Sequence, residues 1–183
     1  MRYQTEKFIN ALLFFAKNTD PEKFGHKKLW KLLFLLDLIH FKKYYRTVLE
    51  DKYRLRQYGP VPEISYSTFM DTFKEGEKTS LSDVVRIEPT RVYDFVLEKI
   101  VPLNDPDLEV FSDSELEIMG QLAKKYYSKR GGEIEREIKK DPIIKKYNKY
   151  NIIDFKKFLT NKKKKEYVEY WEEENKVLEE ALS

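Results

Sequence analysis

Asp37 and His40 stand three residues apart, a spacing that puts them on one face of a helix. A carboxylate beside an imidazole is the orienting half of a nucleophilic or acid–base centre. No obvious nucleophile accompanies them. The structural alternative is a buried Asp and His that hydrogen-bond neighbouring elements, because a carboxylate taken out of water must find a partner. Arg54 and Arg56, on the segment that follows, are alternative partners for Asp37. A catalytic role would require Asp37 and His40 to line an open cleft, and the expectation is a protein that is not an enzyme.

Other reactive constellations are missing from the sequence. The chain has no cysteine, and His26 and His40 are its two imidazoles. That removes disulfides, thiolate zinc sites and cysteine nucleophiles, and it suits a reducing cytosol. No HxxxH, HExxH or DxDxDG spacing occurs, and no GxGxxG or GxxxxGK loop. Neither a metal nor a cofactor is expected.

Charge is the next signal. The net value of +3 is the sum of opposed blocks. Residues 105–117 carry six acids and no base, and residues 124–149 carry ten bases against four acids. Residues 156–165 add six lysines, and residues 166–180 answer with seven glutamates against Lys176. In the basic block Lys124, Lys125, Lys129, Arg130, Arg136, Lys139, Lys140, Lys145 and Lys146 are interleaved with Tyr126, Tyr127 and Tyr147. Cations that neutralise phosphates beside rings that stack on bases would make a nucleic-acid-binding regulator. Lysines on helices that also carry Glu133, Glu135 and Glu137 are equally the mark of a solvated face.

A third signal is aromatic. Tyr44, Tyr45, Tyr53, Tyr58 and Tyr66 gather around Gly59-Pro60-Val61-Pro62, where alternate prolines stiffen the backbone. Tyrosine is enriched at interfaces because its ring is apolar and its hydroxyl tolerates water. Tyr44, Tyr45, Tyr58, Pro60, Pro62 and Tyr66 are therefore the candidate partner-binding residues.

The elements that must position these groups follow from periodicity. Glu6–Asn18 has the apolar spacing of an amphipathic helix, interrupted by Asn18-Thr19-Asp20-Pro21. From His26 to about Tyr45 apolar residues cover nearly the whole circumference, the pattern of a buried central helix. Lys52–Tyr58 alternates as a short strand that Gly59–Pro62 should end, and Glu63–Phe73 reads as a short helix. Val84–Ile87 and Arg91–Val96 flank Glu88-Pro89-Thr90 as a hairpin, with a helical second arm as the alternative. Ser112-Asp113-Ser114-Glu115 is a capping box that opens a helix to about Tyr127, which Gly131-Gly132 closes. Glu133–Lys140 is expected as a short basic helix and Asp141-Pro142 as the start of another to Tyr150. Lys162 onward carries a narrow stripe including Tyr167, Tyr170, Trp171, Val177 and Leu178. The longest apolar run, Leu32 to Leu36, falls far short of the roughly 20 residues of a membrane span, and a cytoplasmic protein without membrane contact is expected. The predicted fold is mostly α: a compact helical domain around a buried central helix, with a small β-hairpin or short antiparallel sheet. Residues 1–150 would form that domain and 151–183 a charged helical extension.

The run Lys28-Leu29-Trp30-Lys31-Leu32-Leu33-Phe34-Leu35-Leu36-Asp37-Leu38-Ile39-His40, followed by Tyr58-Gly59-Pro60-Val61-Pro62, resembles the Panacea domain of SocA-like antitoxins. Members carry a KLxKLLYxxDxxH-like helix and then a YGPVP-like corner. Leu29, Lys31, Leu32, Asp37, His40 and Gly59 are the matching motif residues, and Phe111–Ile118 resembles the later helix start of the family. The resemblance covers about residues 6–145. It implies a mostly helical protein that neutralises a cognate toxin, usually encoded next door, by binding it. Phe34 stands at a usual tyrosine, Tyr45 near a usual glycine, and Lys156–Ser183 lies outside the resemblance.

Overall fold

The computed structural model describes residues 2–92 and 95–182. α1 (Arg2–Asn18) starts before the expected Glu6 and lays Phe8, Leu12 and Phe15 into the core. The Asp20 carboxylate accepts from the Glu22 amide at 3.0 Å and caps a single 3-10 turn, Pro21–Lys23. α2 (His26–Tyr44) is the axis of the molecule, with Leu29, Leu32, Leu33 and Leu36 fully buried. Each such side chain is worth about 1.5–3 kcal/mol of burial.

β1 (Tyr53–Arg56) and β2 (Gly59–Pro62) form an antiparallel ribbon in which Tyr53 faces Pro62 and Leu55 faces Pro60. Gly59–Pro62, expected to end a strand, is itself a strand. A proline lacks a ladder donor and so is confined to edges, and β2 is the edge of a two-stranded ribbon. Gly59 turns the chain with φ +92°, a conformation that strains any residue with a Cβ. α3 (Glu63–Phe73) has no cap of its own; the Asp51 carboxylate accepts from the amides of Ile64 and Ser65 at 3.1 and 2.9 Å and supplies one.

β3 (Val85–Val92) and β4 (Phe95–Pro102) pair antiparallel, so the hairpin is present, with strands as both arms. β3 runs through the expected turn Glu88-Pro89-Thr90 and takes Arg91 and Val92 of the expected second arm, with Pro89 inside the strand opposite Glu98 on another two-stranded ribbon. Tyr93 and Asp94 of the expected second arm fall outside the described residues. α4 (Asp113–Lys125) carries the capping box, with the Ser112 amide donating to Glu115 at 2.9 Å. Glu115 also holds Lys7 of α1 in a buried ion pair at 2.6 Å, so one carboxylate joins the two helices.

α5 (Gly131–Lys139) starts at the two glycines that were expected to close the preceding element. Gly131 packs on the backbone of α2: a Cβ there would stand 2.8 Å from the Lys28 nitrogen. The helix expected over Ile143–Tyr150 shrinks to one 3-10 turn, Ile144–Lys146. β1 claims the chain that follows. Tyr150 donates to Leu55 at 2.6 Å, Leu55 to Asn151 at 2.9 Å and Ile153 to Tyr53 at 2.8 Å, and a helix could not satisfy those bonds.

The core runs past residue 150. Ile153, Phe155, Phe158 and Leu159 are buried, and the Phe155 ring meets Phe34, Phe41 and Tyr53 at 5.7, 5.8 and 5.6 Å. α6 (Asn161–Leu182) docks by its first half, whereas Val177 and Leu178 are exposed. Among the described residues no helix is long and apolar enough to cross a membrane.

Candidate partner-binding site

The motif residues of α2 are brought together with the proline corner by a buried lysine. Lys31 is 2 % exposed and its ammonium donates to the Pro60 carbonyl at 3.2 Å. Burial pushes its pKa down to about 8, opposed by the charge of Glu135 on α5. A Cβ on Gly59 would stand 3.1 Å from the Lys31 Cε, so the glycine makes room for the lysine as well as for the turn. Leu29 and Leu32, flanking Lys31, are core.

Asp37 and His40 do not bond each other. Both are buried, and neither lines an open cleft. The Asp37 carboxylate accepts from the Val48 and Leu49 amides at 2.7 and 2.9 Å and from the Tyr53 hydroxyl at 2.8 Å. It thereby pins the loop between α2 and β1, and burial raises its pKa to about 7 against the pull of those donors. His40 Nδ1 lies 2.7 Å from the Arg46 carbonyl, which can only accept, so that nitrogen carries the proton. Nε2 faces the Ser114 hydroxyl of α4 at 3.3 Å. The alternative arginine partners of Asp37 go elsewhere: Arg54 pairs with Glu63 at 2.6 Å, and Arg56 lies 4.6 Å above the Tyr66 ring.

The six aromatic and proline candidates do not form one patch. Pro60 and Pro62 are buried in β2, where they brace the ribbon. Tyr66 is half-buried, edge-on to Trp30 at 5.9 Å. Tyr45 docks α6: its ring meets Tyr167 and Tyr170 at 5.9 and 5.8 Å and its hydroxyl donates to Glu166 at 2.6 Å. That leaves Tyr44, 40 % exposed, and Tyr58, 52 % exposed. They sit at opposite ends of α2, Tyr44 as its last residue and Tyr58 beneath the Lys27 ammonium at 4.8 Å, a separation of roughly 27 Å along the axis.

Tyr58 lines a cavity of about 530 Å³ that periodicity did not reveal, formed where the starts of α2 and α5 meet β4. Gly25 and Gly131 allow the close approach: a Cβ on Gly25 would lie 2.8 Å from the Glu98 carbonyl. His26 and Glu98 pair across it at 3.0 Å. Burial depresses the His26 pKa, with Glu98 opposing, and the bond from Lys74 holds the Glu98 carboxyl below its ordinary value. Lys28, under the floor, donates to the Tyr127 carbonyl at 2.8 Å, and burial pushes its pKa to about 8. Gly25 and Gly131 were the available signal in the sequence, but nothing in the linear order pairs them.

A helical domain built around a buried Lys31 that latches a Gly-Pro-Val-Pro strand is the class these features define. The family model for the antitoxin SocA-like Panacea domain matches residues 29–145, well over half of the chain, and the chain belongs to that family. Comparison with curated proteins and with solved structures gave no match.

Proposed function

We propose that this protein is an antitoxin that neutralises a cognate toxin in the cytosol by binding it directly, without chemistry of its own. The observation that carries this is membership of the antitoxin SocA-like family over residues 29–145, which includes both motif segments and the latch between Lys31 and Pro60. Tyr58 is the anchor we assign to the partner. It stands exposed at the edge of the cavity with Val96 of β4, which is 63 % exposed, and charged side chains surround both. An aromatic anchor ringed by polar groups is the anatomy of an interface hot spot.

Co-expression with the toxic product of the adjacent gene tests the proposal. Growth should be restored and the two proteins should purify together, and Tyr58→Ala combined with Val96→Asp should weaken both effects more than Tyr44→Ala does. Failure of both rescue and co-purification would overturn the antitoxin role.

A further inference from the structure

The basic block splits in the folded molecule. Lys125 and Lys129 turn to Glu137, and Tyr126 between them is buried with its hydroxyl donating to the same carboxylate at 2.9 Å. The second half behaves differently. Two adjoining cavities, of about 400 and 320 Å³, share Tyr147 as a wall, and no acidic residue lines either. The first takes Arg56, Lys145 and Lys149, together with Lys139, which pairs with Glu135. The second takes Lys146, Lys157 and Lys164. These cations come from β1, the end of α5, the 3-10 turn and loop after it, the turn before α6 and α6 itself, so the sequence spreads them over more than a hundred positions.

The neighbouring acids are already engaged. Asp141 accepts from the Ile143 amide at 2.7 Å and Asp154 from the Lys156 amide at 3.0 Å. Among the described residues Lys145, Lys146, Lys149, Lys157 and Lys164 make no ion pair, and the Arg56 Nε is buried without an acceptor. Aromatic faces lie among them. Lys157 stands 5.0 Å from the Tyr147 ring, and Tyr150, 59 % exposed and tied to β1 by its backbone bond to Leu55, has the Lys149 ammonium 5.6 Å from its ring.

We infer that this face binds single-stranded nucleic acid, the lysines neutralising successive phosphates and Tyr150 stacking on a base. A concave, acid-free surface with an exposed ring suits an unpaired strand, whose bases are free to stack, better than a duplex, whose bases are already stacked. Its lining shares no residue with the Tyr58 cavity, which it adjoins along the chain at Arg56 and Gln57 and along α5 at Lys139, and the inference does not rest on the antitoxin proposal.

Fluorescence anisotropy of a labelled single-stranded oligonucleotide with the full chain tests it. The log of the affinity should fall with log salt at a slope of about −0.7 for each phosphate neutralised, so five unpaired lysines set a value of about −3.5. Lys145→Glu with Lys146→Glu should lower affinity at least about tenfold. Lys145→Gln with Lys146→Gln should make the slope shallower by about 1.4 while leaving the fold undisturbed. Tyr150→Ala should cost about fivefold. Lys124→Glu with Lys125→Glu should change binding less than twofold. No binding at low salt, an equal loss with the Lys124/Lys125 variant, or tighter binding of the same sequence as a duplex would each overturn the inference. Because the readout needs no toxin, its failure leaves the antitoxin test unaffected.

Discussion

The Tyr45 hydroxyl donates to Glu166 at 2.6 Å, joining the end of α2 to α6. Tyr45 is the left-handed cap of α2, with φ 61° and its amide on the Phe41 carbonyl at 2.9 Å. Glycine is the residue that takes this conformation without strain, and the resemblance has a glycine near here. The Tyr45 side chain reaches α6, which lies outside the span matched by the family. The bond to Glu166 raises the Tyr45 pKa to about 12.

Tyr45→Gly should therefore relax the cap and release α6. Hydrogen exchange should accelerate over residues 166–171 and stay unchanged in α2. Tyr45→Phe, which keeps the ring contacts, should give a smaller increase. Unaltered exchange in α6 for both variants would show that the helix is held by other contacts.

Lys31 should titrate near pH 8, well below the usual 10.5. Its folded pKa lies below the unfolded one, so the unfolded chain binds more protons between these values and stability should rise with pH across that window. NMR of the Lys31 Cε resonance gives the midpoint directly. Gly59→Ala, forced to φ +92° with its Cβ against Lys31, should cost about 1–3 kcal/mol in urea unfolding.

Asp37 has the opposite sign. Its carboxyl is raised from 3.8 to about 7, so the folded state binds more protons in that interval and stability should fall as pH rises from about 4 to about 7. Asp37→Asn keeps an acceptor for Val48 and Leu49 and a donor for the Tyr53 oxygen. It should flatten the pH dependence relative to the parent chain. Asp37→Ala leaves buried donors unpaired and should cost about 2–4 kcal/mol near pH 4, a cost that shrinks as pH rises toward 7.

Lys7→Met tests the join between α1 and α4. It strands Glu115, side chain 8 % exposed, and should lower stability by about 3–5 kcal/mol, as breaking a buried pair does. Lys7→Met combined with Glu115→Met should recover part of that loss, measured by thermal unfolding.

Local chemistry was legible in the linear order. The all-round apolar run from His26 reads directly as a central helix, Ser112 and Glu115 as a capping box, and the charge blocks as surface. These depend on neighbours within one or two turns, which the sequence states outright. The exceptions have one cause: long-range contacts, hydrogen bonds or close backbone packing, overrode local preference. Ile143–Tyr150 gave up its helix to β1, Gly59–Pro62 became a strand because Lys31 and the ribbon hold it, and α5 opens at Gly131 because a residue without a Cβ lets it touch the backbone of α2. The functional surfaces belong to the same category. The sequence alone marked Asp37, Lys31 and Gly59 as motif residues, and the structure makes them parts of the scaffold. Folding decided that Tyr58 is exposed while Pro60 is buried. It also brought Arg56, Lys145 and Lys164 to one acid-free face, because burial and net charge are properties of a surface assembled from distant segments.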